Sequence, residues 1–278
     1  MNVYSNNNSA HYVNEFYLCA DNQVLYAAQQ QQDSDMDASS DSLSTDAESI
    51  ACMSSVLNAH LRSAHGPLSQ RLIPLQRRFE IIAQTYPGAP AVRYRDQVLS
   101  YGELDTEADE LALHLQNEGL AAGSFCIIRM EPSLAQVRAI LAILKAGAVC
   151  LQFDPALSAP CMAAVLALLC PAMMFVHGAT CDMPGGGAMR VVYCEDKPAQ
   201  LPYGWPDEVP VGPATPAHAF AGLSHRGGVC IWICTHLGLA RSLDGMPSPP
   251  PLAGCGADPA AMWRPLSSGA LLTIPSCA

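Results

Sequence analysis

Between Phe125 and Leu151 the apolar positions change period twice. Phe125-Cys126-Ile127-Ile128 is an unbroken apolar run, the pattern of a strand covered on both faces. Leu134, Val137, Ile140, Leu141 and Leu144 then fall at helical spacing on one stripe, and Ala148-Val149-Cys150-Leu151 returns to an unbroken run. Ser133 followed three residues later by Gln136 has the form of a capping box, with Glu131 and Pro132 just ahead, so a helix begins near Leu134. Gly147 supplies a residue that tolerates a left-handed C-terminal turn. The stretch predicts a βαβ unit.

The flanking sequence extends the alternation. Pro74 suits a first helical turn, and Leu75, Phe79 and Ile82 form a stripe that ends at the turn residues Tyr86-Pro87-Gly88. Residues 91–94 and 97–99 flank Asp96 as a hairpin. Ser100 with Glu103 is a second capping box, and Leu104, Ala108, Leu111 and Leu115 carry a helix that stops at Gly119. Farther on, Ala159 to Val176 runs without a charge, but Pro171 divides it into a helical piece, 161–170, and a strand-like piece, 172–176, neither long enough to cross a bilayer. Helices alternating with short covered strands argue for an α/β layered domain.

Composition changes this picture mainly at the start of the chain. Half of the 278 residues are apolar, ample for a core, yet residues 1–65 are rich in Asn, Gln, Ser and Asp. Eight carboxylates and no Lys or Arg lie within residues 1–61, so most of the net charge of −11 belongs to this stretch. It reads as a disordered acidic leader, either a solvated linker or a docking tail. Two Lys and twelve Arg offer no basic footprint for nucleic acid. No secretory signal or membrane span is visible, which makes the cytoplasm the expected compartment. The cysteines are scattered through apolar segments, as at Cys126, Cys150, Cys161 and Cys170, and most read as buried thiols.

Leu144 to Pro155, LKAGAVCLQFDP, resembles the second core motif of amino-acid adenylation domains of nonribosomal peptide synthetases, members of the adenylate-forming AMP-binding family. Leu99 to Leu104, LSYGEL, resembles the first core motif and lies the expected short distance upstream. The resemblance covers residues 70–278 and implies the N-terminal part of the large subdomain, an incomplete layered sheet-and-helix domain. It also implies the activity of intact members, activation of an amino acid to aminoacyl-AMP with ATP and Mg²⁺, and a synthetase or carrier-protein partner.

The same resemblance directs attention to three residues. The family has a loop rich in Thr, Ser and Gly, ending in Pro-Lys-Gly, that wraps the triphosphate with backbone N–H groups and offsets its charge with Lys. Here His218-Ala219-Phe220 resembles the strand before that loop and Leu223 to Gly227 the segment after it, as though the loop had been cut out. Ser224 and Arg226 are the phosphate-binding candidates; alternatively the segment is a surface turn entering a helix. Gly222 to Gly227 departs by one residue from a serine-hydrolase nucleophile elbow. Asp258 matches the family's acidic substrate-binding position, which pairs with an α-ammonium group, although an aspartate before Pro259 also suits a turn. His225, Cys230, Cys234 and His236 match no structural zinc spacing, and Cys230 and Cys234 read as core thiols one helical turn apart. No catalytic residue is assigned and no metal ligand is expected. The resemblance implies neither the adenine- and ribose-contacting motifs nor the C-terminal catalytic Lys within the chain, so the expectation is a weak or inactive enzyme, or a non-catalytic module that pairs with another synthetase polypeptide.

Overall fold

The computed structural model describes residues 15–20, 23–29, 73–177, 189–195, 204–212, 214–223, 229–243 and 259–275. The predicted βαβ unit is its centre. Strand β5 (Phe125–Arg129) leads into helix α3 (Leu134–Lys145) and then into strand β6 (Val149–Phe153), which lies parallel to β5 with Phe125 opposite Val149 and Ile127 opposite Leu151. Ser133 Oγ accepts the Gln136 amide, whereas the Gln136 side chain donates to the Met130 carbonyl, so only half of the capping box forms. Gly147 has φ +73°, the left-handed turn that lets the chain reverse into β6.

Helix α4 (Ala159–Leu169) follows β6 and returns to β7 (Met173–Val176) on the other side of β5. Cys170 closes α4 in a left-handed conformation just before Pro171, and no helix among the described residues is long and apolar enough to cross a membrane. Then come β8 (Arg190–Tyr193), β9 (Pro216–Leu223) and β10 (Val229–Thr235). Near the N-terminus, β1 (Glu15–Ala20) and β2 (Gln23–Gln29) complete a sheet in the order β2-β1-β10-β9-β6-β5-β7-β8. Strands 15–20 and 23–29 depart from the disordered leader expected over residues 1–65. They coincide with its two low-charge runs, FYLCA and QVLYAA, the parts of the leader suited to a ladder.

Alternation along the strands separates two cores. Phe125, Ile127, Val149, Leu151, Ala219 and Ala221 face α4, which contributes Cys161, Val165, Leu168 and Leu169. Cys126, Ile128 and Cys150 face the other side, which is covered by α3, α1 (Leu75–Thr85), α2 (Tyr101–Asn117), and α6 (Pro259–Leu266) with its Trp263. The stripe expected for α3 understates its burial: every residue of the helix except Gln136 is buried, because α2 covers the face turned away from the sheet. Its two cations are paired rather than solvated. Arg138 meets Glu107 at 2.7 Å, and Lys145 meets Asp105 and Asp109.

A smaller sheet, β11 (Leu272–Ile274)-β3 (Pro90–Tyr94)-β4 (Gln97–Ser100), flanks the helices. The predicted hairpin is β3-β4, turned through Arg95 at φ +53°, and the Ser100–Glu103 capping box is complete at the start of α2. Tyr101 in the first turn of α2 is fully buried and donates to the Ala270 carbonyl at 2.9 Å, tying the segment before β11 to α2. Desolvation pushes its phenol up to about 12. Helix α5 (His236–Leu243) follows β10 and packs against α6.

Candidate functional site at the carboxyl ends of β5, β6 and β9

β5 passes to α3 on one face of the sheet, and the neighbouring β6 passes to α4 on the other. Adjacent parallel strands whose connections leave toward opposite faces open a crevice beyond their carboxyl ends, the position where open α/β sheets hold ligands. The walls of this crevice are built from local turn chemistry. After β6, Asp154 accepts the Ala156 amide on Oδ1 at 2.8 Å, and its carbonyl accepts the Leu157 amide, forming the turn into α4. Its own amide donates to the Ala221 carbonyl, which fastens this turn to the end of β9.

Gly222 lies directly against that aspartate. A Cβ at position 222 would stand 3.2 Å from Asp154 Cβ and 3.4 Å from its Oδ2, so glycine permits β9 to run close beside the turn. Asp154 is buried. It was legible only as the Asp-Pro that closes LKAGAVCLQFDP, and no sequence pattern pointed to its contact with β9.

β9 and β10 pair antiparallel up to Leu223 opposite Val229, so five residues join them. Ser224 and Arg226 fall among these five, and Asp258 directly precedes α6; all three lie outside the described residues. α6 touches β9 near the start of that strand, where Trp263 Nε1 donates to His218 Nε2 at 3.0 Å. The alternative of a turn entering a helix after Gly227 is corrected. VCIWICT is a run of β-branched and aromatic residues that forms β10, and the helix begins only at His236. Cys230 and Cys234 are therefore buried strand residues, not helical neighbours; His225 lies outside the described residues.

Two histidines missed as structural elements lie toward the opposite, amino end of β9, His218 near its start and His236 with its amide on the Thr215 carbonyl. His218 lies opposite Cys150 on β6 and Cys234 on β10, with its ring edge-on to Trp263. Since Nε2 accepts from Trp263, the neutral ring carries its proton on Nδ1, which has no partner among the described residues. Burial, then the neighbouring His236, lowers His218 to about 3. His236 accepts the Leu75 amide on Nδ1 at 3.3 Å, satisfying a donor at the start of α1, and burial lowers it to about 3 as well. Both rings are neutral packing groups at pH 7 and do not supply charge to a substrate.

A cavity of about 450 Å³ lies elsewhere, between α2, α3 and β8, lined by Leu111, His114, Arg138, Val192 and Glu195 among others. Arg138 is committed there to Glu107 and to the Glu195 carbonyl.

Comparison with known proteins accords with this architecture. The profile of the family described as "AMP-binding enzyme" matches residues 79–238. Surfactin synthase subunit 3 of Bacillus subtilis (strain 168) is 39% identical over 104 residues, covering 37% of this chain and 8% of that protein. Malpinin synthetase of Mortierella alpina is 31% identical over 128 residues, covering 46% of this chain and 2% of that protein. The chain thus spans a small fraction of these relatives. Among solved structures, the AMPPNP-bound form of the nonribosomal peptide synthetase FmoA3 aligns with a TM-score of 0.62 at 22% identity, over 79% of this chain and 24% of that one. The N-terminal subdomain of Klebsiella oxytoca NpsA aligns with a TM-score of 0.56 at 23% identity, over 74% of this chain and 55% of that one.

Proposed function

Because the chain belongs to the AMP-binding enzyme family, on the nonribosomal peptide synthetase adenylation branch, we propose that residues 70–278 are an adenylation-type domain with weak or no adenylating activity of their own. The reaction of the family would join an amino-acid carboxylate to the α-phosphate of ATP and release pyrophosphate. Catalysis of that step requires donors and cations placed where charge accumulates on the phosphates. ATP with Mg²⁺ and an amino acid are the substrates this assignment carries, and a carrier protein or another synthetase polypeptide is the partner.

The single observation that carries the weak-activity reading is the β9–β10 connection. Only Ser224-His225-Arg226-Gly227-Gly228 spans it, with one hydroxyl, no Lys, and paired strands up to both ends. Ser224 and Arg226 are the phosphate contacts available on that turn, and Asp258 is the group for an α-ammonium. A Ser and an Arg can bind an anion at two points, but they do not enclose a triphosphate.

Amino-acid-dependent exchange of pyrophosphate into ATP is the direct test, with no exchange expected above background; measurable exchange by the purified chain overturns the reading. A thermal melt with Mg-ATP separates binding from chemistry. Ligand at about a hundred times its dissociation constant stabilises by roughly 2.7 kcal/mol, so an upward shift without exchange would identify a nucleotide-binding, non-catalytic module.

A further inference from the structure

β10 lies between strands from opposite ends of the described chain. On one side it pairs with β9; on the other, β1 runs parallel to it with Phe16 opposite Val229 and Ala20 opposite Ile233. β2 folds back antiparallel along the far side of β1. Without this hairpin, one ladder edge of VCIWICT has no partner among the described residues. That strand has no charge and only one residue that is not buried. An edge of this composition pairs readily with strands of other molecules.

The sequence between the hairpin and α1 is suited to holding it there. Residues 30–72 form a connection of 43 residues, with six carboxylates from Asp33 to Glu48. A connection of that length makes pairing of the hairpin with its own β10 intramolecular, and linkage within one chain gives effective concentrations in the millimolar range. A second copy at ordinary protein concentration cannot compete with that. Exchange between copies would also bring together two leaders that each carry eight carboxylates and no Lys or Arg within residues 1–61, and their repulsion opposes it.

We propose that residues 15–29 are an edge cap, bound in cis, that closes β10 against strand pairing with a second copy of the chain. Linkage within one chain favours pairing in cis, and the negative charge of the leader opposes exchange between copies. This places a specific role in the leader, independent of whether the domain adenylates.

The test uses the full chain. Cys19 is the backbone partner of Trp232 in the β1–β10 register, so Trp232→Cys puts two cysteines at paired positions of the ladder. Mild oxidation followed by mass spectrometry should find Cys19 linked to the substituted position within one chain; a link found only between chains overturns the proposal. In a second full-length variant, Leu18→Pro breaks the β1 ladder. Amide exchange over 229–235 should then accelerate and light scattering should show mass rising with concentration, whereas unchanged exchange and a persistent monomer overturn it.

Discussion

Lys145 of α3 places its ammonium 2.5 Å from Asp109 Oδ1 on α2, inside the protein, with its side chain 3% exposed. Asp105 stands 2.7 Å away on the same helix, and Glu80 of α1 at 3.4 Å, so one cation joins three helices. Burial alone pulls Lys145 down, but Asp105 and Asp109 together hold it above its usual value. Burial pushes both aspartates above the usual carboxylate range even though Lys145 pulls them down.

Lys145→Met leaves the two aspartates without their counter-ion in a desolvated site and should cost about 3–5 kcal/mol in urea denaturation. Asp109→Asn retains the shape and leaves Asp105 as partner, so it should cost less. Because the folded state raises Lys145, its contribution is fully present below pH 10.5 and disappears as pH rises through the folded value. The difference in stability between the wild type and Lys145→Met should therefore shrink in strong alkali, and also in acid, where Asp105 and Asp109 take up protons and no longer need a counter-ion.

His218 and His236 set the acid limit. Each is lowered from 6.5 to about 3, so the unfolded chain takes up protons that the folded chain refuses. Stability is complete above pH 6.5 and falls as pH drops toward 3, by roughly 4 kcal/mol per histidine at most. His218→Leu leaves the Trp263 N–H unpaired and should cost about 1–3 kcal/mol at pH 8. Near pH 5 the same variant should nearly match the wild type, a convergence that denaturation curves at the two pH values would detect.

Gly147 and Gly119 both have positive φ, at +73° and +86°. A Cβ at Gly147 would lie 2.5 Å from Val209 Cγ1, whereas one at Gly119 would meet nothing within 4 Å. Gly119→Ala should lose only the left-handed strain of about 1–2 kcal/mol. Gly147→Ala should lose clearly more, because residue 209 must also move, and paired thermal melts would rank the two.

Ser100 Oγ accepts the Glu103 amide, while Glu103 Oε2 accepts from the Ser100 amide at 2.8 Å and from its hydroxyl at 2.7 Å, and those last two bonds hold the Glu103 carboxyl below its usual value. Ser100→Ala should cost about 1 kcal/mol in urea denaturation.

Local sequence determined the elements whose stabilising contacts are themselves local. Ser100 with Glu103 starts α2, Gly147 ends α3 and Pro171 separates α4 from β7, because caps and breakers act within one turn of the residue that makes them. The βαβ unit followed from apolar period alone, and LKAGAVCLQFDP identified the family before any contact was known. Tertiary structure decided what depends on distant partners. It buried α3 on every side by placing α2 over it, joined β9 to α6 through His218 and Trp263, and extended β10 with a strand from the acidic leader. A six-residue strand such as Glu15–Ala20 carries too little local preference to order itself; β2 pairs with one of its edges, and the other is satisfied by β10, more than two hundred residues away in the chain.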